Sequence, residues 1–212
     1  MAITLKRLAL CLSMLSFSAP GAASAAPDPL LAPVTPVAPT AVPAAETLEA
    51  VSSAFADARA KRDNTRLMEL TLSLLPSNDE LKRVLRAGVD TDAFLKKYEA
   101  NGIRDSAKAA SKELLRPGKM SQTVVKVHSA TTEQLAEYKA GSAAFAEFPG
   151  GMQRFASTIA AAGRTWQVIE YLEPGKDAGM KFSCFTVLDG RVIMVIKPWR
   201  ALARIAPPSE HK

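Results

Sequence analysis

Two histidines stand at positions 128 and 211 of the 212-residue chain, and only His128 lies in a stretch patterned to fold. Histidine exchanges protons near neutral pH, so His128 is the natural centre of any acid/base chemistry. Its candidate partners are Tyr171, Glu170 and Glu173, which would meet it in a cavity under a curved sheet. Glu170 and Tyr171 are neighbours on an extended segment and point to opposite faces, so at most one of them can share a cavity with His128. His128 and Tyr171 serve equally well as rim groups satisfied by water. Metal chemistry is poorly supplied: His211 follows Pro207-Pro208 in a polar tail, and no ligand-spaced cluster of His, Cys and Asp surrounds His128 in the sequence. No metal and no cofactor is therefore expected. The chain also lacks a Gly-x-Ser-x-Gly elbow, a P-loop and a dinucleotide fingerprint. Pro149-Gly150-Gly151 at a helix start could offer free amides to an anion, but a sharp turn calls for the same residues.

Recognition is the second chemistry on offer. Lys197-Pro198-Trp199-Arg200 closes the last strand-like run; Pro198 cannot donate to a ladder, and Trp199 beside Arg200 either covers the core edge or anchors a partner. Cys184 sits mid-run among Phe182, Phe185 and Val195, which predicts a buried, unreactive thiol rather than a nucleophile.

These residues need a sheet to hold them, and its clearest part is Met180–Leu188 and Arg191–Lys197 around Asp189-Gly190. That dipeptide accepts the positive φ angles of a type I′ turn. Pairing outward sets Val187 against Val192, Phe185 against Met194 and Ser183 against Ile196 on one face. Leu188 with Arg191, Thr186 with Ile193 and Cys184 with Val195 occupy the other. Both faces are apolar, which predicts that this hairpin lies at the centre of the sheet. Thr165–Leu172 alternates as a strand, and Glu173-Pro-Gly175 leads from it into the hairpin through a type II turn. Gln122–His128 supplies a fourth strand.

Ahead of the sheet the period is helical. Leu48, Val51, Phe55 and Ala58 recur at three- and four-residue spacing, and Asp63 precedes a leucine-rich second helix ended by Pro76. Ser77 and Glu80 form a capping box for a third helix, expected to run to Gly88. A fourth buries Phe94, Leu95 and Tyr98, and an alanine-rich fifth spans about Arg104 to Leu115. Thr131/Thr132 caps a short helix ending at Gly141, Ala143–Phe148 fits no one period, and Met152, Phe155 and Ile159 mark a helix expected to reach Gly163. Helices first and strands last is an α+β order: N-terminal helices packed on a C-terminal antiparallel sheet of about four strands.

Lys6 and Arg7, the apolar run Leu8–Phe17 and Ala23-Ser-Ala25 have the form of a cleaved export signal over residues 1–26. Residues 27–45, rich in Pro and Ala, read as a disordered linker, residues 46–205 as one domain, and residues 206–212 as a disordered tail. A periplasmic or secreted location follows, with no transmembrane span after cleavage. The formal charge of +6 is spread along the chain rather than gathered among aromatics, so no nucleic-acid partner is expected.

The stretch Phe55-Ala-Asp-Ala-Arg-Ala-Lys-Arg-Asp63 with Arg66-Leu67 and Leu70 resembles the first two helices of the nuclear-transport-factor-two-like (cystatin-like α+β) superfamily, and the Trp166–Lys197 meander resembles its curved sheet. The tail from Glu173 through Asp189-Gly-Arg191 to Lys197-Pro-Trp-Arg200 is similar to that of uncharacterised exported bacterial proteins. The middle, Ser77–Lys119, departs from the superfamily pattern. The resemblance implies a cone-like fold, and the superfamily hosts isomerases, dehydratases and non-catalytic binders alike. Two classes of function follow as expectations. One is a non-catalytic binding or scaffold module of the bacterial envelope, meeting a small ligand or an envelope protein at the sheet mouth or at Trp199 and Arg200. The other is a small acid/base isomerase or hydrolase with His128 and Tyr171 in a pocket.

Overall fold

The structure, a computed structural model, describes residues 46–101 and 113–202. The expected export signal, the Pro/Ala-rich linker, the tail and most of the alanine-rich helix lie outside the described residues. Helix α1 (Leu48–Ala60) starts where the Thr47 side chain accepts from the Ala50 amide, and α2 (Asn64–Ser73) starts where Asp63 accepts from Arg66. The Ser77/Glu80 capping box opens α3 (Asn78–Arg83), and Asp90 caps α4 (Thr91–Ala100). Strand β1 (Val124–Thr131) runs into α5 (Thr132–Glu137) through a second capping box, Thr131 with Gln134. Then come α6 (Ala143–Glu147), α7 (Gly150–Thr158), β2 (Thr165–Leu172), β3 (Met180–Leu188) and β4 (Arg191–Met194), followed by a 3-10 turn over Pro198–Leu202. Among the described residues, no helix is long and apolar enough to cross a membrane.

The four strands form one antiparallel sheet in the order β1-β2-β3-β4. The architecture is thus α+β, with helices leading and the sheet concentrated toward the C-terminal side. Asp189 (φ 50°) and Gly190 (φ 77°) both take the left-handed angles of a type I′ turn. The β3–β4 register pairs Phe185 with Met194, Thr186 with Ile193, Val187 with Val192 and Leu188 with Arg191, as turn chemistry predicts.

Several local expectations are corrected. The hairpin is not central: β2 and β3 are the inner strands, and β4 is an edge. Strand β4 stops at Met194 rather than Lys197, because Lys197 turns to φ 47° ahead of Pro198. Helix α3 ends at Arg83 and α7 at Thr158, short of Gly88 and Gly163. Their following residues pair with each other instead: the Arg86 amide donates to Ile159, the Ala161 amide donates to Val84, and Leu85 bridges Ala160. A non-local backbone bridge has displaced two helical turns.

The largest correction lies inside β3. Phe185 pairs with Gln167, but Ser183 pairs with Val168, so Cys184 is an extra residue in the ladder. It sits at φ 76°, the left-handed conformation of a bulge that more often holds glycine. Residues before and after it therefore alternate oppositely. Ser183 leaves the face that carries Phe185, where strict alternation had placed it.

Both faces of the sheet are covered. On one, α1 and α2 bring Leu48, Val51, Phe55, Leu70 and Leu74 against Ile169, Tyr171, Phe185, Val192 and Met194. On the other, α3 to α7 and the 3-10 turn pack Leu81, Phe94, Tyr98, Leu135, Met152 and Phe155 against Trp166, Val168, Ile193 and Val195. Trp166 is fully buried, meets Phe155 edge-on at 5.4 Å and donates its indole N–H to Thr132 Oγ1 at 3.1 Å. Each such side chain contributes roughly 1.5–3 kcal/mol by leaving water. The net stability of a domain is only about 5–15 kcal/mol, so neither helical layer is dispensable.

Candidate functional site

Strand β1 carries two candidate sites, one on each face. In an antiparallel pair, directly opposed residues share a face. The register sets Val125 opposite Tyr171 and Val127 opposite Ile169, toward α1; it sets Lys126 opposite Glu170 and His128 opposite Val168, toward the other layer. His128 and Tyr171 are therefore on opposite sides of the sheet and share no pocket. The acid/base expectation that paired them loses its phenol.

On the α1 side a cavity of about 370 Å³ lies between α1, β1 and the segment entering β1. Tyr171 forms part of its wall and is itself 3% exposed, with its hydroxyl 2.9 Å from Ser52 Oγ. Burial pushes the Tyr171 phenol above its ordinary range; the Ser52 hydrogen bond and the nearby Arg59 guanidinium oppose that shift. Phe182 stands edge-on to the Tyr171 ring at 5.9 Å. Arg59, nearly two helical turns along α1 from Ser52, pairs through Nε with Glu113, while its fully buried Nη2 has no hydrogen-bond partner among the described residues. Arg59 thus brings a guanidinium to the cavity wall beside the Tyr171 and Ser52 hydroxyls. Lys119, Met120 and Val125 complete a mixed rim.

On the opposite face His128 meets carboxylates that sequence spacing did not bring near it. Its Nε2 is 3.2 Å from Glu170 Oε2 and 3.6 Å from Glu147 Oε2. Glu170 is 3% exposed, and its other oxygen accepts the Gly179 amide at 2.9 Å. Lys181 Nζ lies 2.6 Å from Glu147 Oε2, and that bond, together with His128 and Lys126, holds the Glu147 carboxyl below its usual range despite partial burial. Folding brings together what sequence spacing did not show: one donor atom from each of His128, Glu147 and Glu170 falls within 4.8 Å of the others. Glu147 comes from the end of α6, the segment that fitted no one period. Only the β1–β2 register reveals that Glu170 rather than Tyr171 faces His128.

The remaining candidates stand apart. Glu173 bonds Ser121 Oγ at 2.8 Å and Lys119 Nζ at 3.1 Å, outside the His128 cluster. Trp199 is half-buried with its ring against Gly151, where a Cβ would meet ring carbons at 2.3 Å. It covers the core edge at the start of α7, and this close approach is what Gly151 is needed for; Arg200 beside it is exposed. Cys184 is buried against Met152 Sδ at 3.4 Å, and loss of solvent pushes its thiol up to about 12, so it is no nucleophile at neutral pH.

No protein-family model, curated protein or solved structure matches this chain.

Proposed function

We propose that the protein is an exported, non-catalytic binding module of the bacterial envelope whose α1–β1 cavity holds a small amphipathic ligand with one anionic or carbonyl head. The observation that carries this reading is the cavity itself, whose wall gathers Arg59, Ser52 and Tyr171 beside apolar side chains. Its volume is at the small end of ligand pockets. Ser52, Tyr171 and Arg59 orient a polar head, while Met120, Val125 and Ala56 receive an apolar body. Lys6, Arg7 and Ala23-Ser-Ala25 support export, and the Pro/Ala-rich residues 27–45 support a tethered domain. The likeness of α1 and α2 to the opening of the nuclear-transport-factor-two-like superfamily supports a ligand held between helix and sheet.

Titration calorimetry with straight-chain carboxylates from hexanoate to dodecanoate tests the cavity. Saturable one-to-one binding that weakens about tenfold in Arg59→Met is the expected result. An absence of binding at millimolar concentration, or affinity indifferent to Arg59→Met, removes the proposal. Export is tested separately by intact mass: a full-length amino terminus on protein recovered from the envelope overturns cleavage near Ala25.

A further inference from the structure

We propose that His128, Glu147 and Glu170 form a binding site for a first-row divalent metal ion, zinc foremost, which displaces Lys181 from Glu147 on entry. The site lies on the opposite face of the sheet from the α1 cavity and does not rest on the function proposed for that cavity.

The first argument is spacing. Zinc bound by imidazole nitrogen and carboxylate oxygen at about 2.0–2.1 Å in a tetrahedron sets its ligand atoms about 3.3 Å apart. The His128 Nε2 distances to Glu170 Oε2 and Glu147 Oε2, 3.2 and 3.6 Å, bracket that edge. Two of the three edges thus already match, and the third, between the two carboxylates, is no longer than 4.8 Å.

The second argument is the convergence of two carboxylates on one ring nitrogen. His128 Nε2 has at most one hydrogen to give, yet two carboxylate oxygens converge on it. At 3.2 Å Glu170 can take that proton; at 3.6 Å Glu147 lies beyond hydrogen-bond reach. In the tautomer with its proton on Nδ1, the Nε2 lone pair instead faces both carboxylates, and the cation that balances them is Lys181, its Nζ 2.6 Å from Glu147 Oε2 and 3.9 Å from Glu170 Oε1. One divalent ion satisfies all three donors together.

The supporting shell is built to keep them so. The Gly179 amide holds Glu170 Oε1, which leaves Oε2 directed at His128. That amide reaches Glu170 because Gly179 lies flat on β2: a Cβ there would stand 2.0 Å from the Tyr171 carbonyl oxygen. Fixing the second oxygen of a liganding carboxylate is the usual outer-shell device of metal sites. Lys181 is the competitor. Its ammonium occupies Glu147 Oε2, but the side chain is 34% exposed and can withdraw into water. A partly exposed pair of this kind holds a ligand back by no more than about fivefold, far less than coordination by three donors gains. One nitrogen and two oxygens suit zinc and its first-row neighbours better than calcium or magnesium, which prefer all-oxygen shells. Three protein donors leave a fourth position to water.

Zinc titration of the full chain against a chromogenic zinc indicator tests this, with circular dichroism to confirm that each variant is folded. One ion per chain at a Kd of about 1 µM or tighter is expected, with a loss of at least about tenfold in His128→Asn and in Glu147→Gln. Lys181→Met should tighten binding by up to about fivefold, an effect that a merely structural ion-pair network does not produce. His211→Ala should change nothing. The proposal is overturned by no binding at micromolar zinc, by affinity that survives His128→Asn, or by loss in His211→Ala, which would place the ion on the tail. Should Glu147→Gln fail to fold, the opposite signs expected for His128→Asn and Lys181→Met still decide the matter.

Discussion

The two edges of the sheet are finished in different ways. Strand β4 has four residues, and Val192 to Met194 are buried. Its outward amides are taken: Val192 donates to the Glu46 carboxylate at 2.9 Å and Met194 to the Leu74 carbonyl at 2.8 Å. The Gly190 carbonyl accepts the Glu46 amide, and Asp189 forms a two-bond fork with Arg83. Strand β1 has eight residues, is exposed along its first half, and shows Val124 and Val125 each 38% exposed. Both candidate sites lie at β1, one on each face. An edge strand left accessible is a liability that proteins usually blunt, and here the blunting was applied to one side only.

The largest effect should come where the β2–β3 connection presses on the open half. Gly179→Ala drives a methyl into the Tyr171 carbonyl, backbone against backbone, and should cost about 3 kcal/mol in denaturant melts. A neutral result would mean that the connection is not packed on β2 and that Glu170 is held by something else. At the closed edge, Gly190→Val places a β-branched residue at φ 77°, and about 2 kcal/mol should be lost. Removing the carboxylate that caps β4, in Glu46→Ala, should cost about 1.5–2 kcal/mol by stranding the Val192 amide. At the open edge Val124→Ser should cost under about 0.5 kcal/mol. If Val124→Ser proves as damaging as Glu46→Ala, the contrast between the edges fails.

Between the edges, the Cys184 thiol gives a contrast with pH. Its pKa is raised from 9.0 to about 12 in the fold, so its contribution to stability is complete below pH 9. Above that the unfolded chain releases the proton first, and stability falls as pH rises toward 12, by roughly 1 kcal/mol per pH unit. Cys184→Ala should remove that part of the alkaline slope while leaving the slope below pH 9 unchanged. Equal slopes in the two proteins would place the thiol in contact with water.

Much of the frame was legible because its signals are local. Asp189-Gly190, the Ser77/Glu80 box and the Phe55 stripe each carry their own chemistry within a few residues. What was not legible depends on distant partners. Nothing near Arg83 announces that Val84 will prefer the Ala161 amide to another helical turn. Glu147 reaches His128 only once α6 is laid against β1, and Arg59 meets Tyr171 only once α1 covers the sheet. The face of Glu170 could be derived from alternation, yet which residue it would meet required the register. Two phenylalanines three apart, Phe182 and Phe185, both packing toward α1 and α2, were the one trace of the bulge: strict alternation would have separated them.

That bulge makes β3 a strand of two phases joined at Cys184. Lys181 and Ser183 follow one phase, and Phe185 and Val187 the other. If residue 184 were instead paired in a regular ladder, all of β3 would follow one phase. With the turn end of the hairpin held, Lys181 would be carried to the Tyr171 side and Phe182 to the His128 side. The charge that balances Glu147 would be lost and the aromatic support of Tyr171 removed in the same event. Two sites on opposite faces, with no residue in common, thus depend on one extra residue: a regular β3 of the same sequence would erase both, whereas deleting residue 184 would leave Ser183, Phe182 and Lys181 opposite Val168, Ile169 and Glu170 as before.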